Sequence, residues 1–404
     1  MTVENLLLLI LALAGAIAAF DAQALYYLSP LISNDLHLDN SEIGLVSSIV
    51  LLTTAVSAFL VGRLSDQTGR RDRYLIAAFL IFALCSGLSG LASSFAALFF
   101  SRALMGVAEG PVIPLSLSIM MASSSPRRRG FNAGIVQNLG AQLVGSMLGP
   151  IIIVRLATLY DWRTSFYIAG VPGLLVAAMI ALYVRDPIAG PTERLRTSAA
   201  SPARFRDLLA YRNIRVCMCL SVLMASWYFL LLTFLPLYCL RALALTPERM
   251  SYLMGVSGAA GVTSSIVVPY VSDRMGRKPV LILFFLMSVM APVAPLMSIQ
   301  SNLVILLCIF CGSLGIGTTP LIFGVVPIET VANKDAAAAS GLVLATGAVL
   351  GGFGITALAG GLSDRYGLSI PLYMAVGSAS CAAAVGFWLV ETAPRAQPAA
   401  HSHP

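Results

Sequence analysis

The chain has 404 residues, of which 58% are hydrophobic and 11% are charged, and its formal net charge is +7. Soluble domains are typically about 25% charged, so this chain cannot hide its apolar surface in one aqueous core and is expected to be surrounded by lipid. The positive charge is expected in loops on the cytoplasmic side of a membrane, which collect lysine and arginine, and it does not imply a nucleic acid partner.

Long apolar runs predict membrane-spanning helices, because about 20 residues cross the hydrocarbon core. Runs of this length exclude barrel strands, which alternate over about ten residues. No basic residue precedes the first run, and no cleavage site and soluble domain follow it, so it is expected to be a retained helix and not a signal peptide. The twelve predicted spans are 5–32, 43–62, 74–93, 95–122, 131–154, 164–184, 216–240, 251–271, 279–299, 302–327, 338–361 and 368–390.

The basic residues predict the orientation of these spans. With both termini in the cytoplasm, nineteen lysines and arginines fall in cytoplasmic loops, five fall in outer loops and Arg102 alone lies within a span. Residues 185–215 are polar and rich in proline, which predicts a linker. We therefore expect a six-helix lobe at 1–184, a cytoplasmic linker, and a second six-helix lobe with a short cytoplasmic tail at 216–404.

A charged motif follows the second span of each half, first as VGRLSDQTGRR and then as VPYVSDRMGRK. A repeat at the same place in both halves indicates duplication. Glycine permits a tight turn and a close approach of helices, and an aspartate can accept hydrogen bonds at a helix end. The motif residues are Gly62, Asp66, Gly69 and Arg70 in the first copy and Asp273, Gly276 and Arg277 in the second, which has Pro269 in place of the first glycine.

With these two motif copies and twelve predicted spans, nearly the whole chain resembles the major facilitator superfamily. The resemblance implies an all-α polytopic membrane protein, in which two six-helix lobes surround a central cavity and work by alternating access. It also implies that the motif residues form a latch, which holds the halves closed on the cytoplasmic face. The alternative is a solvated loop that only sets the orientation.

Ionisable residues within membrane spans are costly and usually functional. Asp21 in the first span and Arg102 and Glu109 in the fourth are the candidates. At about 1.5 Å per residue, Asp21 and Arg102 lie at similar depth, whereas Glu109 lies two turns beyond Arg102 on the same face, about 10 Å away and too far for a direct salt bridge. None of the three histidines lies in a span, so a carboxylate would have to carry any transported proton.

A narrower resemblance, to the anion:cation symporter branch of the superfamily, rests on the segment 102–114 together with Asp21. It implies that Arg102 binds an anionic substrate and that Asp21 and Glu109 couple its transport to protons. Many members have an arginine directly after the span-1 aspartate, but Ala22 stands here, so either the substrate carries one carboxylate or the branch assignment is wrong. Further segments that fit the branch are Asp161–Arg163, Gly351–Phe353 and Glu391–Pro394.

Polar and aromatic residues in the spans supply further candidates for substrate contacts, namely Tyr26, Gln137 and Tyr228. Such residues more often pack between helices or lie at the membrane interface. The charged candidates have structural alternatives as well. Asp21 could be a buried, paired acid, Arg102 a packing cation, and Glu109 a hydrogen-bonding group that never titrates.

The sequence therefore predicts a transporter for proton-coupled uptake of a small organic anion, an aromatic or a sugar acid. It is expected to work as a monomer, without a cofactor or metal, as a multi-pass protein of the plasma membrane, most simply the bacterial inner membrane. An enzyme is not expected, because the sequence contains no nucleophile–base pair or phosphate loop. The seven cysteines lie in apolar runs and predict packing without disulfides.

Two alternatives remain open at this point. Gly145, Gly149 and Pro150 resemble the antiporter motif of drug exporters, but Ile153 and Val154 stand where that motif has a pair of glycines. Proton-coupled efflux of a drug or metabolite is therefore the second hypothesis for the function. A membrane receptor that kept the fold is a third, and the short loops disfavour it.

Overall fold

The computed structural model describes residues 3–125, 128–184, 205–297, 301–332 and 335–393. These residues form helices and no β-strand, and twelve of the helices are long and apolar enough to cross a membrane, as predicted. We number them α1 to α12 in chain order. They are Val3–Asp35, Asn40–Ser65, Arg71–Gly90, Phe95–Ser123, Phe131–Leu159, Trp162–Tyr183, Arg212–Arg241, Pro247–Met275, Arg277–Leu296, Asn302–Thr330, Ala336–Tyr366 and Ser369–Gly386.

Local capping residues explain where several of these helices begin. Asp39 and Glu42 form a capping box at the start of α2, in which each side chain satisfies a backbone N–H of the other residue. Ser94, Asp161 and Thr246 cap α4, α6 and α8 in the simpler way, by accepting one backbone N–H.

The charged motif is helical, which the sequence reading did not anticipate. α2 continues to Thr68 and closes at Gly69, whose φ of 66° lies in the left-handed region that glycine adopts without strain. In the second copy Gly276 ends α8, also with a positive φ, but its φ of 101° and ψ of 160° lie outside the αL region that Gly69 adopts. The predicted ends of spans two and eight were too early for this reason.

Five segments of the described helices depart from regular α-helical bonding, one of which is the tighter 3₁₀ turn at Leu314–Thr318 in α10. Wider π-helical turns occupy Ile135–Leu139 and Ala141–Leu148 in α5, Leu321–Val325 in α10 and Gly347–Ile355 in α11. Such turns often mark functional regions, since they shift the face that a helix presents. The turns at Ala141–Leu148 and Gly347–Ile355 lie where α5 and α11 cross the other half of the chain.

The helices form two lobes, α1–α6 and α7–α12, which meet along α2 with α11, α5 with α8, and α1 with α7. We call the end of the bundle that carries Tyr183 and Phe205 the linker face, and the other end, with Leu36–Asp39 and Gly367, the opposite face. Most of the predicted linker, at 185–204, and the tail at 394–404 lie outside the described residues.

The lobes touch at the opposite face. Asp364 at the end of α11 accepts hydrogen bonds of 2.9 Å from the backbone N–H groups of Asn40 and Ser41 at the start of α2. Arg241 at the end of α7 donates to the hydroxyl of Ser33 at 2.7 Å. At the linker face, the first part of α11, Ala336–Thr346, makes no extensive contact with α2 among the described residues. The lobes therefore meet at the opposite face and part towards the linker face.

Candidate functional site

Asp21 and Arg102 form a buried pair inside the first lobe. Arg102 Nη1 lies 3.9 Å from Asp21 Oδ2, and the two side chains are 1% and 0% exposed. The Ser86 hydroxyl of α3 lies 2.6 Å from Asp21 Oδ1 and donates to it. The guanidinium carbon of Arg102 lies 4.4 Å from the ring centre of Phe166 in α6, a cation–π contact. α1, α3, α4 and α6 thus enclose the pair.

The bonding of this pair is incomplete. None of the three guanidinium nitrogens of Arg102 donates a hydrogen bond to the described residues, and Asp21 Oδ2 accepts none from them. Buried charges are normally paired and fully hydrogen-bonded, because desolvating a charge costs several kcal/mol. A guanidinium held by one long ionic contact and an aromatic ring is therefore suited to a change of partner.

Glu109 lies apart from the pair, at the point where α4 is interrupted before Val112. The helix approaches α2 closely here, since Thr54 donates to the carbonyl of Gly106 and Ser57 to that of Val107. Glu109 is half-buried and makes no hydrogen bond or ion pair with the described residues. It still lies within electrostatic range of Asp21 and Arg102.

A cavity lies between the two lobes, and the empty space in it, counted together with the open solvent at its mouth, is about 510 Å³. Its first-lobe wall is polar and its second-lobe wall is largely apolar, and none of the described side chains that line it is charged. The lining residues are Gln23, Tyr27, Ser146, Trp227, Tyr228, Leu231, Leu232, Leu235, Met254, Ser257, Gly258, Ala291, Ile309, Ser313 and Ile316.

The structure places the four predicted substrate contacts in different surroundings. Tyr228 lines the cavity. Tyr26 is buried and donates to the carbonyl of Ser47 in α2, and Gln137 is exposed on α5 outside the cavity lining. Arg102 also lies outside the lining, beside Asp21. Depth along a helix could be counted from the sequence, but the face on which each side chain lies could not.

The predicted gate motif has a clear geometry in its second copy. Arg277 donates to Asp273 at 2.5 Å and to Glu329 at 2.9 Å. Glu391 accepts from the backbone N–H groups of Arg277 and Lys278 at the start of α9. These contacts all lie within the second lobe. A latch between the lobes at this face therefore stays a prediction.

Glu391 belongs to the Glu391–Pro394 segment that the sequence singled out, and its environment explains why an acid stands there. Burial acts to raise the pKa of Glu391, but hydrogen bonds from four backbone N–H groups, those of Ala393, Arg277, Lys278 and Thr392, outweigh burial and lower it. The ionised carboxylate is thus the form that ties the end of the second lobe together.

In the first copy of the motif, Gly62 faces open space, where an added Cβ would meet nothing within 4 Å. It does not mediate a close helix approach in this conformation. Gly69 provides the left-handed turn. The side chain of Asp66 lies outside what the structure describes, and Arg70 opens α3 without a side-chain cap.

A third copy of the motif pattern went unnoticed in the sequence. Gly360, Leu362, Ser363, Asp364 and Gly367 repeat the spacing of the first copy, but they lie at the opposite end of the bundle. Gly367, with a φ of 95°, ends α11. The aspartate of this copy is the one that joins the two lobes.

The glycines of the exporter-like segment and the Asp161–Arg163 segment have structural roles. An added Cβ at Gly145 would lie 2.9 Å from Ala19 of α1, so this glycine allows α5 to pack against α1. Asp161 caps α6, and Arg163 binds Asp35 at the end of α1 at 2.5 Å. The hydrogen bond from the Thr164 N–H lowers the pKa of Asp161.

Comparison with known proteins agrees with this architecture. A sequence profile of the Major Facilitator Superfamily matches residues 11–355. The chain belongs to this superfamily. Its members are membrane transporters and not enzymes, and the prediction of a multi-pass membrane protein of this superfamily is confirmed.

The relatives of this superfamily chain include proteins named for organic acids. It is 29% identical to the hexuronate transporter of Bacillus subtilis (strain 168), over 68% of this chain and 66% of that protein. It is 29% identical to a probable 4-methylmuconolactone transporter of Cupriavidus pinatubonensis, over 66% and 63%. It is 26% identical to the sialic acid transporter NanX of Escherichia coli (strain K12), over 88% and 86%. The first two matches therefore span less than two thirds of the relatives' own lengths.

Solved structures share the superfamily fold. A D-xylose-proton symporter superposes with a TM-score of 0.79 at 16% identity, covering 97% of this chain and 99% of that one. A bacterial homologue of the human lysosomal transporter Spinster, in an inward-facing and unoccupied conformation, gives 0.78 at 16% identity, over 96% and 95%. These likenesses establish two six-helix lobes, and nothing about the substrate.

Several residues that line the cavity were not predicted from the sequence to contact a substrate. Gln23, Tyr27 and Trp227 line the cavity but were not among the predicted substrate contacts. Ser257 and Ser313 carried no signal, since serine is common within membrane helices. A helical-wheel comparison of α1 could have separated Gln23 and Tyr27, four residues apart on one face, from Asp21.

Proposed function

We propose that this chain is a secondary active transporter, which takes up a small organic anion together with protons by alternating access. The buried Asp21–Arg102 pair carries this proposal. A titratable carboxylate beside an under-bonded guanidinium, within a membrane helix, is the arrangement expected of a coupling site. The names of the hexuronate, 4-methylmuconolactone and sialic acid transporters support an organic acid as the substrate.

The pair can couple protons to the anion through its charge. While Asp21 is ionised, it neutralises Arg102, and the interior of the first lobe offers an anion little attraction. When Asp21 takes up a proton, the charge of Arg102 is no longer balanced. Across the width of α1, about 10 Å, Coulomb's law with an effective dielectric constant of about 20 gives about 1.7 kcal/mol of attraction, more than a tenfold gain in affinity.

The proposal keeps a role for each predicted site residue. Arg102 supplies the positive charge that binds the substrate carboxylate, from behind α1 in this conformation. Glu109 is the second group that exchanges a proton, because it lies within electrostatic range of both members of the pair. Tyr26 and Gln137 contact the substrate only in a conformation with a different arrangement of α1 and α5, whereas Tyr228 lines the cavity already.

We further propose that the linker face is cytoplasmic, with both termini there, and that the protein acts as a monomer in the bacterial inner membrane. The excess of basic residues in loops on that side supports the orientation. The domain limits follow as 1–184, 185–215 and 216–404. Motion of the lobes would then require the contacts of Asp364 and Arg241 at the outer face to break.

The test is to separate coupling from binding. In proteoliposomes, Asp21→Asn should abolish accumulation of the transported acid driven by a proton gradient, yet preserve exchange of labelled for unlabelled acid across the membrane. Asp35→Asn is the matched control, since this aspartate lies in the same helix but at its end, bound to Arg163. Accumulation that survives Asp21→Asn at the wild-type level would remove Asp21 from the coupling role.

Export of an apolar solute is a second candidate, because the second-lobe wall of the cavity is apolar and no charged side chain lines the cavity. The two functions change the pH inside a liposome in opposite directions. Uptake of an acid with protons acidifies the liposome interior, whereas exchange of a solute for protons from an acid-loaded liposome makes the interior alkaline.

A further inference from the structure

One polar cluster stands out in the first-lobe wall of the cavity, centred on Gln23. The Tyr27 hydroxyl donates to Gln23 Oε1 at 2.6 Å, and the Ser146 hydroxyl donates to the same oxygen at 3.1 Å. Tyr228 of the second lobe lines the same cavity as Ser146. The carbonyl end of the Gln23 amide is thereby fully used and the side chain is fixed in position.

The other end of this amide lies beside α5, since Nε2 is 3.1 Å from where a Cβ on Gly145 would stand. With Oε1 occupied by two donors, the Gln23 NH₂ group has no hydrogen-bond partner among the described residues, and Gln23 lines the cavity. An amide NH₂ offers two donors to an oxygen acceptor. A carboxylate held in the cavity on the Gly145 side of Gln23 would accept these hydrogens, at the residue next to the position where the related branch carries an arginine.

The facing wall has the opposite character. Leu231, Leu232 and Leu235 of α7 line it together with residues of α8 and α10. Trp227 contributes only the surface of its ring, because its indole N–H already donates to the carbonyl of Ser288. Two hydroxyls on this wall, those of Ser257 and Ser313, bond each other at 2.8 Å.

This division sets what the cavity can accept. A carboxylate at Gln23 would extend the body of the molecule towards α7, α8 and α10, where hydroxyl groups would find few partners. Burying a hydroxyl without a hydrogen bond is unfavourable, whereas apolar surface gains from the same burial. A ring that bears several hydroxyls is therefore disfavoured in comparison with an unsubstituted ring of similar size.

We propose that Gln23 is the specificity-determining residue of this cavity, and that the substrates are monocarboxylic acids with an apolar or aromatic body and not polyhydroxylated sugar acids. Tyr27 and Ser146 are positioning residues, which hold the Gln23 amide so that its NH₂ group faces the ligand. This inference rests on the proposed function, because it assigns the substrate class to the transporter.

Equilibrium binding of radiolabelled benzoate and glucuronate to purified protein in detergent tests the inference. Both probes are six-membered-ring monoanions at neutral pH, and they differ in their hydroxyl groups. Benzoate should bind at least tenfold more tightly than glucuronate. Gln23→Leu should weaken benzoate binding about tenfold, and Tyr27→Phe, which removes only the hydroxyl that fixes the amide, should weaken it by a smaller factor. Gln142→Leu makes the same chemical change at a residue outside the cavity lining and should leave it unchanged.

Glucuronate binding as tight as benzoate binding, no benzoate binding, or a Gln23→Leu variant within twofold of wild type would each overturn the inference. Thermal unfolding of each variant shows whether it is folded, and Gln23→Glu, which presents a negative charge to the anion, provides a second variant with an expected larger loss. A different result would refute the proposed function while leaving this inference intact. Benzoate binding that depends on Gln23, without proton-coupled transport in liposomes, would refute symport and keep the substrate class.

Discussion

Replacing Gly360 by valine should force the two lobes apart at the opposite face. Gly360 lies where α11 crosses α2, and a Cβ atom there would stand 2.6 Å from the carbonyl oxygen of Asn40 and 3.0 Å from the Cα atom of Ser41. Ordinary van der Waals contact begins at 3.4 Å. The helices must therefore separate by about 0.8 Å, because both obstacles are backbone atoms of a packed helix that cannot rotate away.

The size of the effect follows from these contacts. Overpacking costs about 1–3 kcal/mol, and the separation also stretches the hydrogen bonds that Asp364 accepts from Asn40 and Ser41. With about 2 kcal/mol for the whole effect, the ratio of closed to open conformers at this face falls roughly 30-fold, since 1.4 kcal/mol is a factor of ten. Gly361 supplies the control, because it is the next residue of the same helix and an added Cβ would meet nothing within 4 Å.

Spin labels can report the separation. Thr158 at the end of α5 and Arg249 at the start of α8 are exposed, lie at the opposite face in different lobes, and belong to neither helix of the altered crossing. The exposed cysteines Cys219 and Cys381 are replaced first. The distance between the labels should lengthen in Gly360→Val and keep its wild-type distribution in Gly361→Val. Equal distributions in the two variants would refute the reasoning.

Three further outcomes are expected. Asp364→Asn weakens the charged cap on α2 by about 1 kcal/mol and should shift the same spin-label distances about fivefold in population towards the open form; an unchanged distribution contradicts this. Arg102→Gln leaves Asp21 buried without its cation, so it should lower the unfolding temperature in detergent more than the double variant Asp21→Asn/Arg102→Gln does. Equal losses in the two variants would show that the pair is not coupled. Because the folded state lowers the pKa of Glu391, its stabilisation is complete above pH 4.5, the ordinary value, and is lost as the pH falls further. The unfolding temperatures of wild type and Glu391→Gln should thus differ at pH 7 and converge in acid, and a constant difference would contradict this account.

The twelve spans were predictable, because apolar runs of about 20 residues have few alternatives in a chain with so little charge. The ends of the helices were harder to predict. α2 runs on through charged residues to Thr68, since a helix needs only backbone bonds and a left-handed residue such as Gly69 to close it. Counting charges and apolar residues marks where the membrane ends, which is not where the helix ends.

The site was predictable in part for a similar reason. The common depth of Asp21 and Arg102 follows from residue counts, and the structure brings these two side chains together. The cavity lining depends on how the lobes approach each other. Gly258 of α8 packs directly against the backbone of Ser146 in α5, and that contact between distant parts of the chain has no local sequence signal. Ser257 enters the cavity for the same reason.

A pH-sensitive dye inside liposomes that contain the purified protein tests most directly whether an organic acid and protons enter together. A panel of aromatic and sugar acids is added outside, with lipophilic cations as controls. The account predicts internal acidification by an acid, faster than in protein-free liposomes and lost in Arg102→Ala. Acidification no faster than without protein, or an alkaline shift with cations in liposomes loaded with acid, would contradict it and favour export.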